Sequence, residues 1–362
     1  MSNSEFLSSL FQAHVINLNR GKIFYESFPP KPKEFSFSKI EGMLLGVALG
    51  DSLGNSSESM LPSKRKTIYG EITDYLPHPY LRDTRGYPSD DTQLTFWTLE
   101  NLLLNDGLNP HDLASQFCSE RIYGIGSTVR KFISNFKSNQ RWEYCGPNSA
   151  GNGAMMRISP VLLPYLKTGG SGIMVDTALC AMITHNNDLS ISACLLHNYI
   201  LWQLLDLKNN PDSDWWLSQI DCVKDLVTGS DYTVRGGELG GSKVRPWEFI
   251  QSNIRRALQE NLSTYDAFTI WWSGAYLLET IPCVLYIMIK HGHDPEQSII
   301  RATNDTKDND TIASIVGALC GALHGKDAFP KRWIDGLTGR TRGDDDGKIF
   351  ELLEQAKQRW WS

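Results

Sequence analysis

Apolar residues recur along most of this chain at intervals of three and four, the spacing of one face of an α-helix, while alternation in steps of two is almost absent. That period predicts an all-α fold. In the most apolar stretch Ile312, Ile315, Val316, Leu319 and Leu323 share a helical face, and Gly317, Gly321 and Gly325 form a bare ridge four residues apart. A second ridge, Gly42, Gly46, Gly50 and Gly54, lies in GMLLGVALGDSLG towards the other end. Glycine inside a helix costs about 1 kcal/mol against alanine, so a repeated ridge implies a close backbone contact that offsets the cost. The two helices are expected at the centre, against each other. Neither is a membrane span, which needs ~20 apolar residues, because Asp51 interrupts one and the other runs only about a dozen residues past Thr311.

The same period predicts helices from Lys39 to about Leu53, through Leu94, Trp97, Leu102 and Leu103, and at Pro110–Ser119, Gly126–Asn135, Asp176–Thr184 and Ile191–Leu205. Further helices are expected at Trp247–Gln259, Asp266–Lys290 with a break near Pro282, Pro295–Arg301 and Lys348–Trp361. Two stretches are irregular by composition. Residues 55–87 carry Pro62, Gly70, Pro77, Pro79 and Gly86, with Pro88 just beyond, and residues 206–246 carry Pro211, Gly229, Gly236-Gly237 and Gly240-Gly241, an inserted loop with one short helix.

Residues 1–38 read as an extension to a main domain of residues 39–362. Leu7, Leu10, Phe11, His14 and Leu18 form one stripe behind Ser4, a candidate N-cap, and Pro29-Pro30-Lys31-Pro32-Lys33 makes a stiff linker. So apolar a stripe must be covered, either by the chain's own bundle or by a protein partner.

The chain has 362 residues, of which 41% are hydrophobic and 21% charged, a globular composition. A net charge of −6 leaves no basic footprint, so direct nucleic-acid binding is not expected. The seven cysteines are scattered and never spaced C-x-x-C, which disfavours a disulfide framework and a zinc site and fits a reducing cytoplasm. No signal-peptide pattern opens the chain.

Candidate chemistry lies at two predicted helix starts. Asp308, Asp310 and Thr311 precede the glycine-ridged helix near the C-terminal end, and Ser89, Asp90, Asp91 and Thr92 precede the helix of Leu94. A carboxylate or hydroxyl here can cap the helix, where backbone N–H groups and the positive dipole end receive it. One oxygen suffices for a cap, however, and hard cations such as Mg²⁺ or Mn²⁺ prefer the all-oxygen sets that both loops offer. Between them, Gly151-Asn152-Gly153 makes a backbone that can approach an anion or form a tight turn, with a helix expected by Ala154 and Arg157 as the one basic residue close by. His185, at a helix end, reads first as a cap, and Tyr276 first as core.

Taken in order, these motifs resemble the ADP-ribosylglycohydrolase family from about Lys39 to Trp333. The resemblance rests on G-x-x-L-G-x-A-x-G-D-x-L-G at 42–54 with Glu58, on Ser89-Asp90-Asp91-Thr92, Gly151-Asn152-Gly153 with Met156-Arg157, Thr184-His185, Tyr276, and Asp308-x-Asp310-Thr311. It implies an orthogonal helical bundle with a central two-metal site of Mg²⁺ or Mn²⁺, held by Ser89, Asp90, Asp91, Asp308, Asp310 and Thr311. It also implies that Gly151, Asn152, Gly153, His185 and Tyr276 touch ADP-ribose, and that Asp91 or Glu58 acts as general base or orients water. Ser89 stands where the family usually has threonine, and Thr306-Lys307 where two glycines are common. The implied activity is removal of ADP-ribose from protein, foremost from arginine. Cleavage from serine, a nucleic-acid base or a small molecule is the enzymatic alternative, and partner sequestration without turnover is the alternative of another class. With its extension the chain is also similar to immunity proteins acting against an ADP-ribosyltransferase toxin, which would then be the partner of residues 1–34.

Overall fold

The computed structural model describes every residue except 79, 80, 228 and 230, so Pro79, one of the breakers above, lies outside the described residues. The helices are α1 Asn3–Gln12, α2 Ser38–Asn55, α3 Pro62–Tyr69, α4 Asp90–Asn105, α5 Pro110–Ser119, α6 Ser127–Lys137, α7 Gly172–Met182 and α8 Asp188–Leu204. They continue as α9 Ser213–Ser218, α10 Pro246–Gln259, α11 Thr264–Trp271, α12 Leu277–His291, α13 Pro295–Asp305, α14 Asn309–His324, α15 Lys331–Gly336 and α16 Lys348–Trp360. Among the described residues the one sheet is a hairpin of two-residue strands, β1 Tyr232–Thr233 and β2 Lys243–Val244. The fold is all-α, and no described helix is long and apolar enough to cross a membrane.

At the centre α2 and α14 lie antiparallel along their glycine ridges. Gly42 faces Gly321 and Gly325, Gly46 faces Gly317, Gly50 faces Ala313, and Gly54 faces Asp310. Nearly every residue from Met43 to Gly54 and from Asn309 to Leu323 is buried, so neither helix has a polar face. The ridge thus does two things at once. It packs the core and brings Asp310, in the first turn of α14, against the end of α2.

The periphery departs from the sequence reading where local terms compete with tertiary ones. After the Gly-Asn-Gly turn no α-helix forms: Met155–Arg157 and Ser159–Tyr165 are 3-10 turns, in keeping with Pro160 and Pro164. The expected break near Pro282 falls instead at residues 272–276, where Trp272 adopts φ 64°, and Pro282 is accommodated inside α12. Tyr276 is therefore the N-cap residue of α12 and not an interior position. The irregular excursion contains α3, which Pro62 starts.

The N-terminal segment lies on its own chain. α1 is capped by Ser2, in a reciprocal box with Glu5, and not by Ser4. Leu7, Leu10 and Leu18 are buried, whereas His14 is exposed and in left-handed backbone, outside the expected stripe. Asn3 donates to Asp176 of α7 at 2.7 Å, Asn17 donates from its backbone to Asn186 at 2.9 Å, and the buried Lys31 ammonium reaches the Trp202 carbonyl at 2.7 Å and Asp206 at 2.8 Å. The expectation of a toxin partner rested on an apolar stripe in need of cover, and the bundle itself supplies that cover.

Candidate active site

Two helix N-termini converge because Asp51 of α2 ties one of them down. Its carboxylate, fully buried, accepts from the backbone N–H of Ser89 at 2.9 Å and of Thr92 at 3.0 Å, and from the Thr92 hydroxyl. These are among the N–H groups that a helix start leaves without internal partners, so Asp51 caps α4 from another helix. Ser89 caps it from within, accepting from the Asp91 N–H at 3.2 Å. On the facing side Asn309 donates to the Gly54 carbonyl at 3.0 Å, and Asp310 backs directly on Gly54, where any Cβ would stand 2.4 Å from its backbone.

One carboxylate joins the two loops. Asp91 Oδ2 accepts from the Ser89 hydroxyl at 3.1 Å and from the Thr311 hydroxyl at 3.2 Å, while its Oδ1 is buried without any partner. Oxygen atoms of Asp51, Asp91 and Asp310 all lie within 4.8 Å of one another. Asp308 is held by Asn152, whose side-chain amide donates to it at 2.7 Å. Ser89, Asp90, Asp91, Asp308, Asp310 and Thr311 are thus brought to one place by α4, α14 and the turn before each.

Burial and mutual repulsion act together on these acids. Burial, then Asp51, pushes the Asp90 carboxyl up to about 7, and burial pushes Asp308 up to about 6 despite the Asn152 hydrogen bond. Asp91 and Asp310 lie well above the ordinary carboxylate range for the same two reasons, burial first. Carboxylates in such a site need a countercharge. The donor set is entirely oxygen, crowded, and includes the unpartnered Asp91 Oδ1, so these residues fit hard divalent cations.

The acids open into a cleft of about 350 Å³ whose wall includes Glu58, Asp90, Asn152, His185 and Asp308. Larger cavities of about 560 and 640 Å³ open beside α13 and beside the N-terminal arm, but neither contains the clustered acids. Gly151-Asn152-Gly153 forms one wall, its Asn152 N–H donating to the Ala275 carbonyl at 3.0 Å just before α12. Gly153 leaves room for the His185 ring, which a Cβ would meet at 3.0 Å. Glu58 is exposed on the rim.

His185 stands at the end of a short hydrogen-bonded chain. The buried Arg157 guanidinium donates to the Thr184 hydroxyl at 2.9 Å, and that hydroxyl lies 2.9 Å from His185 Nδ1. Arginine can only donate, so the Thr184 hydroxyl accepts from it and has its own proton to offer Nδ1, an arrangement that would leave the Nε2 proton facing the cleft. Burial, then the Arg157 charge, depresses the imidazole to about 3, so it stays neutral.

The sequence model of the ADP-ribosylglycohydrolase family matches residues 32–360. The chain belongs to that family. It is 25% identical over 337 residues to ADP-ribosylhydrolase ARH3 of Homo sapiens, covering 85% of this chain and 92% of that one. It is also 25% identical over 322 residues to the ADP-ribosyl-[dinitrogen reductase] glycohydrolase of Rhodospirillum rubrum, covering 87% and 95%. A solved ADP-ribosylglycohydrolase-related protein complex shares the fold, with a TM-score of 0.64 at 22% identity over 90% of this chain and 97% of that one.

Three residues that complete the site do not stand out in the sequence. Asp51 reads from sequence as a charge interrupting an apolar run and as the acid of the 42–54 motif, without a site role, yet it joins the acid cluster. Arg65 of α3, fully buried, donates to the carbonyls of Thr303 at 2.9 Å, Thr306 at 2.8 Å and Met60 at 3.0 Å, clamping the Glu58 loop to the turn before Asp308. Arg235, from the inserted loop, stands on the cleft wall with its guanidinium 4.2 Å from the centre of the Tyr276 ring. Arg157, which from sequence was the only basic residue near the Gly-Asn-Gly turn, is buried behind His185 and does not line the cleft. Tyr276 itself lines an adjoining cavity.

Proposed function

We propose that the chain is a divalent-metal-dependent hydrolase that frees ADP-ribose from modified protein side chains, with arginine as the linkage. The observation that supports this reading best is the convergence of two acid-bearing helix starts beside the Gly-Asn-Gly cleft. Ser89, Asp90, Asp91, Asp308, Asp310 and Thr311 would hold two ions, Mg²⁺ or Mn²⁺, which when bound supply polarisation of the ribose oxygens and of water. Asp91, buried and shared by two hydroxyls, is suited to holding and not to proton transfer. Glu58, exposed on the rim of the same cleft, is the base.

In this reaction a water oxygen bonds to the anomeric carbon as the carbon–nitrogen bond to the guanidine breaks. The water proton passes to Glu58; the electron pair of the broken bond stays on nitrogen, so the cationic substrate guanidinium departs as neutral guanidine, and the proton held by Glu58 returns to it to give the guanidinium product. The anomeric carbon gains oxocarbenium-like charge on the way, which neighbouring carboxylates stabilise. His185 Nε2–H and the Gly151-Asn152-Gly153 backbone hold the ADP-ribosyl group, and the acidic rim suits an arginine leaving group over a neutral one.

Incubation of the full chain with arginine- and serine-ADP-ribosylated protein, in Mg²⁺ or in chelator, tests the reading. Metal-dependent release from the arginine substrate is expected. Release from serine alone would move the linkage to oxygen, and stoichiometric retention of either substrate without release would make the chain a binding protein.

A further inference from the structure

An ADP-ribosyl group carries two negative charges on its diphosphate, and the residues beside the acid cluster are themselves acidic. Among the described residues lining that cleft, one carries a permanent positive charge, Arg235. It also lines the adjoining cavity of about 480 Å³, which holds Asn148, Asn187, Tyr232 and Tyr276, and Ser149 is the other residue common to both. Arg235 and Ser149 therefore mark the junction between a chamber with the clustered acids and a second chamber, lined also by Asp188 and Asp231, that offers two tyrosine rings and several amides.

The inserted loop fixes this guanidinium at both ends. On one side the Tyr232 hydroxyl bonds to Asp188, and the Asn187 side chain donates to it at 3.1 Å, at the start of α8. On the other side Gly236 lies flat on the Trp272 ring, where a Cβ would stand 2.7 Å from ring carbon, and Gly237 at φ 72° lies against the Ile270 carbonyl. The Glu238 N–H donates to that carbonyl at 3.0 Å. Between the two anchors Arg235 stacks on Tyr276 and forms no ion pair with a described residue, so its N–H fork is available.

We propose that Arg235 binds the diphosphate of the ADP-ribosyl substrate at the junction of the two cavities, with the terminal ribose toward the acids and the adenosine in the Tyr232–Tyr276 chamber. This inference rests on the function proposed above. A guanidinium matches phosphate oxygens in a planar fork, and a ground-state contact of this kind acts on affinity more than on turnover.

Calorimetry of ADP-ribose with the full chain in Mg²⁺, and steady-state kinetics on the ADP-ribosylated substrate, test it in Arg235→Ala, Arg235→Met and Arg235→Lys. Alanine and methionine are expected to weaken ADP-ribose binding and raise KM by about tenfold or more, with kcat within about twofold, and lysine to recover part of the loss. Methionine keeps the aliphatic cover on Tyr276 without the charge. Wild-type affinity in the methionine variant would therefore reduce Arg235 to a support for the ring, and wild-type affinity in the alanine variant would remove it from the site; either result overturns the inference alone. A wild-type chain that neither binds nor releases ADP-ribose overturns the inference together with the function beneath it.

Discussion

Gly46 of α2 and Gly317 of α14 meet backbone to backbone: a Cβ added to either would stand 2.0 Å from the other's carbonyl oxygen. No rotamer can relieve a clash between two main chains, so the helices would have to move apart. Gly46→Ala is expected to cost at least ~3 kcal/mol, at the upper end of overpacking, whereas Gly343→Ala, with nothing within 4 Å, should stay within about 0.5 kcal/mol of the parent. Urea unfolding of both variants decides this, and equal midpoints would contradict the contact.

The crowded acids make a linked prediction for metal and heat. With chelator present, Asp91→Asn should melt above the parent because it removes one buried carboxylate from a repelling set, and with Mg²⁺ or Mn²⁺ the order should reverse. Chelation should also abolish hydrolysis, as should Asp308→Ala and Asp310→Ala. Scanning calorimetry with and without the ions checks the inversion, and melting temperatures indifferent to metal would defeat it.

For Glu58 the expectation is kinetic. Glu58→Gln should lower kcat by about 10²–10⁴-fold, the usual contribution of a positioned base, with bound metal and melting temperature unchanged. Its exposed position makes a structural effect small. Undiminished turnover would pass the role of base to Asp91.

Asp176 gives the fold a pH dependence away from the site. Burial pushes its carboxyl up to about 6, above an ordinary value of 3.8, even though Asn3 and Tyr165 both donate to it. A raised carboxyl favours folding below pH 3.8, and that contribution is lost as pH rises through 6. Asp176→Asn should therefore be more stable than the parent at pH 8, by up to about 3 kcal/mol, and nearly equal at pH 4. Unfolding curves at the two pH values read the difference, and a deficit at pH 8 would show that the charge itself holds the N-terminal arm.

The His185 ring should remain in its neutral Nε2–H form from pH 5 to 8, since burial depresses it to about 3 and the Thr184 hydroxyl, which accepts from Arg157, lies 2.9 Å from Nδ1 with a proton to offer. Nitrogen-15 chemical shifts of the imidazole distinguish the tautomers. Titration within that window, or an Nδ1–H signal, would break the Arg157–Thr184–His185 chain.

By itself the sequence determined what is periodic or contiguous. The spacing of Ile312, Ile315, Val316, Leu319 and Leu323, the glycines every four residues, and acids clustered at Ser89–Asp91 and Asp308–Thr311 are relations inside one helix or its first turn, where backbone geometry is known in advance. The central helix pair and the two acid-bearing helix starts were legible for that reason. Tertiary structure alone decided which distant residues complete them. Asp51 caps a helix that begins 39 residues later, Arg65 reaches carbonyls at 303–306, and Arg235 arrives on a loop that two glycines seat on Trp272. A lone charged residue has no period to betray it. The same holds for the N-terminal arm: its stripe required cover, but hydrophobic burial is non-directional, so only the path of the chain could choose between another protein and its own bundle.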